Sequence, residues 1–161
     1  MLIGIISDTH DDMPSIRKAV ELFGARKVSH VIHAGDLVSP FTFEIFGELS
    51  CGFSAVFGNN DGDKILLRQK SVDRIYRQPL VLTLDEKKIV VVHEPDLVDG
   101  LSDSGHFQVV VYGHTHTPYV GRKRDALVIN PGKAARLHKG DSTFALLDTG
   151  TMLAEIINLG R

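Results

Sequence analysis

Aspartate, histidine and asparagine side chains recur in short polar segments, each of which follows an apolar run. The candidate ligands are, in chain order, Asp8, His10, Asp36, Asn59, His93, His114 and His116. Carboxylate and amide oxygens together with imidazole nitrogens are donors that bind manganese, iron, zinc or nickel. Because none of the seven is a thiol, a structural zinc site of the finger type is not expected. The set therefore predicts a metal centre.

The number of these side chains bears on how many ions they hold. Seven ligands exceed the needs of one ion of ordinary coordination number, but they suit two ions about 3.5–4 Å apart that share a bridging carboxylate. Gly35, Gly58 and Gly113 each directly precede a candidate ligand, where glycine permits tight or strained backbone geometry. A capping or turn role explains any one of these polar residues alone. The ordered set of seven favours a metal centre.

The first third of the chain alternates apolar runs with helical patterns. The patterns predict strands over Leu2–Ser7, Val28–His33 and Phe53–Phe57, and helices over about Met13–Phe23, Phe41–Leu49 and near Lys64–Gln69. Such a βαβαβα order implies parallel strands joined by right-handed crossovers. In α/β sheets, ligands bind beyond the carboxyl ends of the strands, which is where the polar segments fall.

The remainder of the chain predicts hairpins. The proposed strand pairs are Val81–Leu84 with Lys88–Val92, Pro118–Val120 with Leu127–Ile129 and Thr143–Asp148 with Met152–Ile157, and Val109–Tyr112 is a separate apolar strand. The second pair flanks a basic turn, Arg122-Lys123-Arg124. A parallel half followed by an antiparallel half predicts an α/β fold of two stacked mixed β-sheets flanked by helices. We expect a single domain over residues 1–161.

Composition narrows the range of partners. The 161 residues are 43% hydrophobic and 24% charged, with a net charge of −2, which gives no reason to expect a nucleic acid or an anionic membrane as partner. No apolar run approaches the ~20 residues that span a bilayer. The single cysteine, Cys51, fits a reducing compartment. These features favour a cytoplasmic protein, and exposed hairpin edges could pair in a homodimer.

The motifs resemble those of one family. Asp8-x-His10, Gly35-Asp36, Gly58-Asn59, His93 and Gly113-His114-Thr115-His116 are similar to the motifs of the calcineurin-like metallophosphoesterase superfamily. Length and spacing look most like its small single-domain branch, which includes bacterial and archaeal phosphodiesterases and the small retromer subunit. The resemblance implies a four-layer αββα sandwich.

The resemblance also implies a mechanism. It places Asp8, His10, Asp36 and His116 on a first ion, and Asp36, Asn59, His93 and His114 on a second, with Asp36 bridging. A hydroxide between the two ions would attack the phosphorus of a small phosphate ester, preferably a diester. Manganese is the expected metal, and nickel, iron and zinc are alternatives. Asp36 and Asn60 would be catalytic, and Asn59 and Asn60 would contact the substrate.

Two departures from the family pattern matter. Many relatives carry histidine where this chain has Asn60, which can donate a hydrogen bond but cannot act as a general acid near neutral pH. This change favours substrates with good leaving groups, such as aryl esters or certain diesters. Relatives often have Gly-His after the histidine equivalent to His93, whereas Glu94-Pro95 follows here. Any substrate contact made by that second histidine is missing.

Alternative readings remain open for the chain and for several residues. The chain could be a scaffold that resembles the small retromer subunit, although the loss of ligands expected of a scaffold is not seen. Asp61 and Asp63 are predicted to cap the following helix, and His33 to support the site without binding metal. Arg136 and His138 could contact substrate but are predicted to be exposed surface residues.

Overall fold

A computed structural model describes residues 1–136 and 140–160, so His138 lies outside the described residues. The strands are, in chain order, β1 Leu2–Ile6, β2 His30–His33, β3 Gly52–Val56, β4 Ile75–Tyr76, β5 Leu80–Leu84, β6 Lys87–Val91, β7 Val109–Val111, β8 Tyr119–Lys123, β9 Ala126–Asn130, β10 Thr143–Asp148 and β11 Leu153–Asn158. The α-helices are α1 Met13–Ala25, α2 Phe43–Phe46, α3 Lys64–Lys70 and α4 Val98–Asp103.

The first sheet has six strands in the order β11-β10-β1-β2-β3-β4. Strands β1, β2 and β3 are parallel, as the βαβαβα pattern predicts. The short strand β4, which was not predicted, is parallel to β3, and β10 runs antiparallel to β1. The register pairs Ile6 with His33 and His33 with Ala55, so the first three strands end in step. The segments that follow these strands therefore emerge at one edge of the sheet.

The second sheet has five strands in the order β5-β6-β7-β9-β8. Its two hairpins, β5–β6 and β8–β9, are antiparallel as predicted, but β6, β7 and β9 are parallel to one another. The prediction that the second half of the chain forms antiparallel strands is therefore wrong for the three central strands of this sheet. The reason is a helix that was not predicted, since α4 carries the chain from the end of β6 back to the start of β7. The third predicted hairpin, β10–β11, joins the first sheet.

Other local predictions need correction. The helix predicted over Phe41–Leu49 is a 3-10 turn, Pro40–Thr42, followed by the single α-turn of α2. Two residues of the predicted basic turn, Arg122 and Lys123, belong to β8. The N-terminus of α1 agrees with prediction, because the Asp12 side chain accepts a hydrogen bond from the Ser15 N–H and a proline lies in the first turn.

Three apolar clusters hold the layers together. Ile3, Ile5 and Val111 belong to the cluster between the two sheets. Phe23 belongs to the cluster between the first sheet and its helices, and Val98 to the one between the second sheet and α4. Burial of each such side chain contributes about 1.5–3 kcal/mol. The predicted α/β fold of two stacked mixed sheets flanked by helices is confirmed. None of the helices described is long and apolar enough to cross a membrane.

Candidate metal centre

All seven candidate ligands lie close together where the carboxyl ends of β1, β2, β3, β6 and β7 meet. They form two groups, which we call the first cluster (Asp8, His10, His116) and the second cluster (Asn59, His93, His114), with Asp36 between them. Loops from both sheets are joined here, since the backbone N–H of His114 donates to Asp8 Oδ2 at 3.1 Å.

The first cluster brings two imidazoles to a buried carboxylate. Oδ1 of Asp8 is 3.3 Å from Nε2 of His116 and 3.9 Å from Nε2 of His10. The two Nε2 atoms are 3.4 Å apart. Potential ligand atoms of the three residues all lie within 4.8 Å of one another. This spacing allows one cation to contact all three side chains.

The second cluster is built around the side-chain oxygen of Asn59. That Oδ1 atom is 3.0 Å from Nε2 of His93 and 2.9 Å from Nδ1 of His114. The other ring nitrogen of His93, Nδ1, donates to the carbonyl oxygen of Ala34 at 2.7 Å. This hydrogen bond fixes the ring so that Nε2 points into the site, which is the arrangement expected of a metal-binding histidine.

Asp36 connects the two clusters through a single oxygen. Its Oδ2 atom is 3.6 Å from Nε2 of His10 and 3.4 Å from Nε2 of His93. A carboxylate in this position can contact a cation in either cluster.

The backbone of the ligand loops is held in an uncommon conformation. Asp8, His10, Asp36, His114 and His116 have positive φ values of 53°, 41°, 61°, 66° and 59°. Non-glycine residues adopt this region rarely, at a cost of order 1–3 kcal/mol each, and such residues cluster at functional sites. Five of the seven candidate ligands therefore carry backbone strain that the surrounding structure must maintain.

All three glycines predicted to permit tight geometry do so, because an added Cβ would clash at each of them. Gly35 has φ of 99°, and a Cβ added there would lie 2.5 Å from Nδ1 of His93. A Cβ on Gly58 would lie 2.2 Å from Oδ1 of Asp36. Any side chain at either position would displace a candidate ligand.

Asp61 joins two loop segments near Asp36. Its Oδ2 accepts hydrogen bonds from the N–H groups of Gly58 at 2.7 Å and Asp36 at 3.2 Å, and Oδ1 accepts from Val38 N–H at 2.7 Å. The prediction that Asp61 caps the next helix is wrong, because Asp63 is the residue that caps α3. The position of Asp61 in the sequence indicates this role in the loops, because the residue directly follows Gly58-Asn59-Asn60 and precedes the residue that caps α3.

His33 supports the site from beneath, as predicted. Its ring is fully buried, and Nδ1 accepts the N–H of Gly35 at 3.2 Å. The ring is therefore a neutral tautomer with its hydrogen on Nε2, which lies 3.1 Å from Oγ1 of Thr9. Thr9 in turn donates to the carbonyl oxygen of Asp36 at 3.3 Å. Burial lowers the pKa of His33 to about 3, which keeps it neutral.

Asn60 lies against Asp36. Its side-chain Nδ2 donates to Oδ2 of Asp36 at 2.7 Å, and its backbone N–H donates to Oδ1 at 2.8 Å. The residue is exposed, so an incoming molecule can reach it. Its geometry fits a group that orients Asp36.

Arg136 is joined to the loop of the first cluster. Its side chain forms two hydrogen bonds with the Asp12 carboxylate, at 2.9 and 3.1 Å, and its backbone N–H donates a third at 2.8 Å. Burial would raise the pKa of Asp12, but the hydrogen bonds from Arg136 and Ser15 lower it to about 2. The exposed guanidinium predicted from the sequence is thus tied to the N-terminus of α1.

The pKa values of the carboxyl and imidazole groups depend on burial and on hydrogen bonds within the site. Burial raises the pKa of Asp8. Burial opposes ionisation of Asp36 as well, yet hydrogen bonds from His93 and Asn60 hold the pKa of that carboxyl well below its usual range. Burial would lower the pKa of His93, but its hydrogen bonds to Asp36 and to the Ala34 carbonyl raise it to about 9. A metal cation bound here would replace the proton that His93 holds.

One buried oxygen atom indicates whether the site can accommodate a metal ion. Oδ1 of Asp8 is fully enclosed and accepts no hydrogen bond from residues 1–136 or 140–160. A buried carboxylate oxygen without a donor is costly unless a cation contacts it. Because this oxygen faces His10 and His116, the donor set and the geometry fit a divalent ion.

The fold and this cluster of carboxylates and imidazoles define a metallophosphoesterase. The chain belongs to the calcineurin-like phosphoesterase superfamily, whose domain model matches residues 1–152. Membership places it among the phosphoric ester hydrolases.

Individual relatives agree with this assignment. A phosphodiesterase of Methanocaldococcus jannaschii is 39% identical over 155 residues, covering 92% of this chain and 93% of the relative. The solved structure of an archaeal phosphodiesterase superposes with a TM-score of 0.92 at 36% identity, covering 98% of this chain and 99% of the other. Vacuolar protein sorting 29 of Cryptosporidium parvum superposes with a TM-score of 0.72 at 19% identity, over 99% and 98% of the two chains. That last likeness shows the fold alone.

Proposed function

We propose that this protein is a phosphodiesterase that holds two divalent metal ions between its sheets. The observation that carries the proposal is the position of Asp36 Oδ2, within 3.6 Å of His10 Nε2 on one side and 3.4 Å of His93 Nε2 on the other. The first cluster and Asp36 would hold one ion, and the second cluster and Asp36 the other. Asp36 is thus the bridging ligand.

When bound, two such ions lower the pKa of water and stabilise negative charge on phosphoryl oxygens. The residues of this chain set where that chemistry occurs. Asn60 orients the Asp36 carboxylate through two hydrogen bonds, while Asp61 and His33 hold the loops on either side of it. These groups preorganise the ligands before any ion or substrate arrives.

A diester is the substrate class that the chain supports best. The relative from Methanocaldococcus jannaschii and the solved archaeal structure both carry the name phosphodiesterase. Asn60 replaces a possible proton donor, so the leaving group must depart without protonation by that side chain. Aryl esters and diesters of good leaving groups meet this requirement. Manganese is the metal we propose, with nickel, iron and zinc as ions that the same donors accept.

The test is metal-dependent hydrolysis of bis-p-nitrophenyl phosphate. Purified protein freed of metal should be inactive, and Mn²⁺ should restore turnover. Asp36→Asn should lower kcat by at least about 100-fold and reduce the bound metal from two ions per chain, because the bridging charge is lost. Asp125→Asn, an exposed residue in the β8–β9 turn, is the matched control and should behave as the unchanged protein. Absence of turnover with Mn²⁺, Ni²⁺, Fe²⁺ and Zn²⁺ would contradict the proposal.

We also propose that residues 1–161 form one domain and that the protein acts in the cytoplasm. The single cysteine, Cys51, supports a reducing compartment. The balanced charge supports a small substrate over a nucleic acid.

A further inference from the structure

A cavity of about 830 Å³ adjoins the second cluster. Asn59, which contacts His93 and His114, lines one end of it together with Gly58. Helix α3 and the segment that begins at β4 provide the other walls. A cavity of this volume is large enough for a small organic ligand. Its position means that a phosphate ester bound at the metal centre can extend one of its arms into it.

The cavity has an apolar and aromatic lining. Phe57 and the fully buried Ile75 contribute to it, and Ile65 and Tyr76 lie at its margin with 75% and 40% of their surfaces exposed. Large apolar side chains this exposed gain free energy when a ligand covers them. Two aromatic rings in the lining offer faces on which a planar group can stack.

Some charged groups of the cavity are already engaged. The Nε atom of Arg68 donates to Asp73 at 2.7 Å, so these two charges compensate one another. The carboxylate of Glu94 accepts a hydrogen bond from the side chain of Gln78.

Two cations of the lining form no ion pair with any described residue. Lys64 places its Nζ 5.6 Å from the centre of the Phe57 ring, a distance at which the cation and the ring attract each other. Arg77, next to Tyr76 in the sequence, also lines the cavity. With the Arg68–Asp73 pair neutral, these two cations exceed the one remaining anion, Glu94. The lining therefore favours a ligand that carries negative charge beside its planar group.

We propose that this cavity binds one arm of the phosphodiester substrate, and that this arm is a planar aromatic ring with a second anionic group, as in a nucleotide. The inference rests on the proposed phosphodiesterase activity and adds the substrate class. The apolar lining holds the ring, and Lys64 and Arg77 contact the second anion. Methyl and other small alkyl arms leave the cavity unfilled and gain none of these contacts.

Two substrates with the same leaving group separate arm recognition from the chemistry. The first is the 5′-p-nitrophenyl ester of thymidine 3′,5′-bisphosphate, which carries a ring and a second anion. The second is methyl p-nitrophenyl phosphate, whose arm other than the shared leaving group carries neither. We expect the Mn²⁺-loaded protein to prefer the nucleotide ester by at least about tenfold in kcat/KM, since stacking of one base on aromatic side chains is worth this much or more.

Variants of α3 provide matched pairs, because neighbouring residues of this helix face different grooves. Ile65 and Lys64 line the cavity, whereas Leu66 and Lys70 line a separate groove beside Phe41. Ile65→Ser and Lys64→Ala should each lower the preference for the nucleotide ester about three- to tenfold. Leu66→Ser and Lys70→Ala should leave it unchanged. All four should hydrolyse the methyl ester at the rate of the unchanged protein.

Calorimetric titration with thymidine 3′,5′-bisphosphate measures occupancy of the cavity without turnover. Ile65→Ser and Lys64→Ala should weaken this binding, and the two control variants should not. If the methyl ester is hydrolysed but no preference is seen, the inference fails and the proposed function stands. If neither ester is hydrolysed, the proposed function fails. Equal binding of the bisphosphate by all five proteins overturns the assignment of the cavity whatever the activity.

Discussion

The side-chain amide of Asn60 donates a hydrogen bond to Oδ2 of Asp36 at 2.7 Å, on the same oxygen that faces both His10 and His93. Asn60 occupies the position where relatives often carry a proton donor. It is hydrogen-bonded to the proposed bridging ligand. Its substitution should change both the orientation of Asp36 and the protonation of the leaving group.

Asn60→His should make hydrolysis less dependent on the leaving group. An imidazole can donate a proton near neutral pH, and general acid catalysis contributes about 10²–10⁴-fold where the leaving group is poor. Measured kcat for a series of aryl methyl phosphates should fall less steeply with leaving-group pKa than in the unchanged protein. Asn60→Ala, which removes the amide without adding an acid, should retain the steep dependence. Equal slopes for Asn60→His and the unchanged protein would refute the expectation.

Asp61→Asn should damage the site, although it changes few atoms. Both carboxylate oxygens accept hydrogen bonds from backbone N–H groups. In either orientation of the asparagine side chain, its NH₂ group therefore faces a backbone N–H and leaves that N–H without an acceptor. The loss should be about 1–3 kcal/mol in the free energy of unfolding, accompanied by weaker metal binding. Urea unfolding and metal titration measure the two effects.

The control for that variant is Asp63→Asn, in the same segment. Asp63 caps α3 through one hydrogen bond, from Leu66 N–H at 2.9 Å, and asparagine caps helices as well as aspartate. Its unfolding free energy should stay within about 0.5 kcal/mol of the original value. Equal effects of the two substitutions would show that Asp61 does not hold the loops.

His33 should make the metal-free protein sensitive to acid. Its pKa is about 3 in the folded chain against an ordinary value of 6.5, so the unfolded chain takes up a proton first as the pH falls. The contribution of His33 is fully present above pH 6.5 and is lost as the pH falls from there towards 3, at up to about 1.4 kcal/mol per pH unit. Unfolding curves of His33→Gln across this range should show a shallower decline. Parallel declines would contradict the prediction.

Lys133 should stabilise the segment that follows β9. Only 1% of it is exposed, and its Nζ donates to the carbonyl oxygens of Ala135, Gly140 and Asp141 at 3.1, 3.3 and 3.3 Å. Lys133→Met retains the length of the side chain but leaves these acceptors without their donor. We expect a loss of about 1–3 kcal/mol in thermal or urea unfolding. Lys27→Met, on the exposed turn after α1, is the control and should cause little change.

The sequence by itself determined which residues make up the candidate metal centre. Polar segments after apolar runs identified all seven candidate ligands, because parallel strands place their carboxyl ends at one edge and each ligand lies close to the end of its own strand. The N-cap at Asp12 and the hairpins were equally predictable, since they depend on residues a few positions apart. All of these features depend on residues that are close together in the sequence.

Only the tertiary structure decided how distant segments combine. The pairing of β6, β7 and β9 in parallel and the contact of Asn59 with both His93 and His114 depend on residues far apart in sequence. So do the hydrogen bonds that Asp61 accepts from the loop after β2. The cavity beside Asn59 exists because α3 and β4 pack at the end of the first sheet, and no spacing in the sequence indicates it. Long-range packing fixes such relations because the burial of apolar faces, and not any local preference, selects which loops meet.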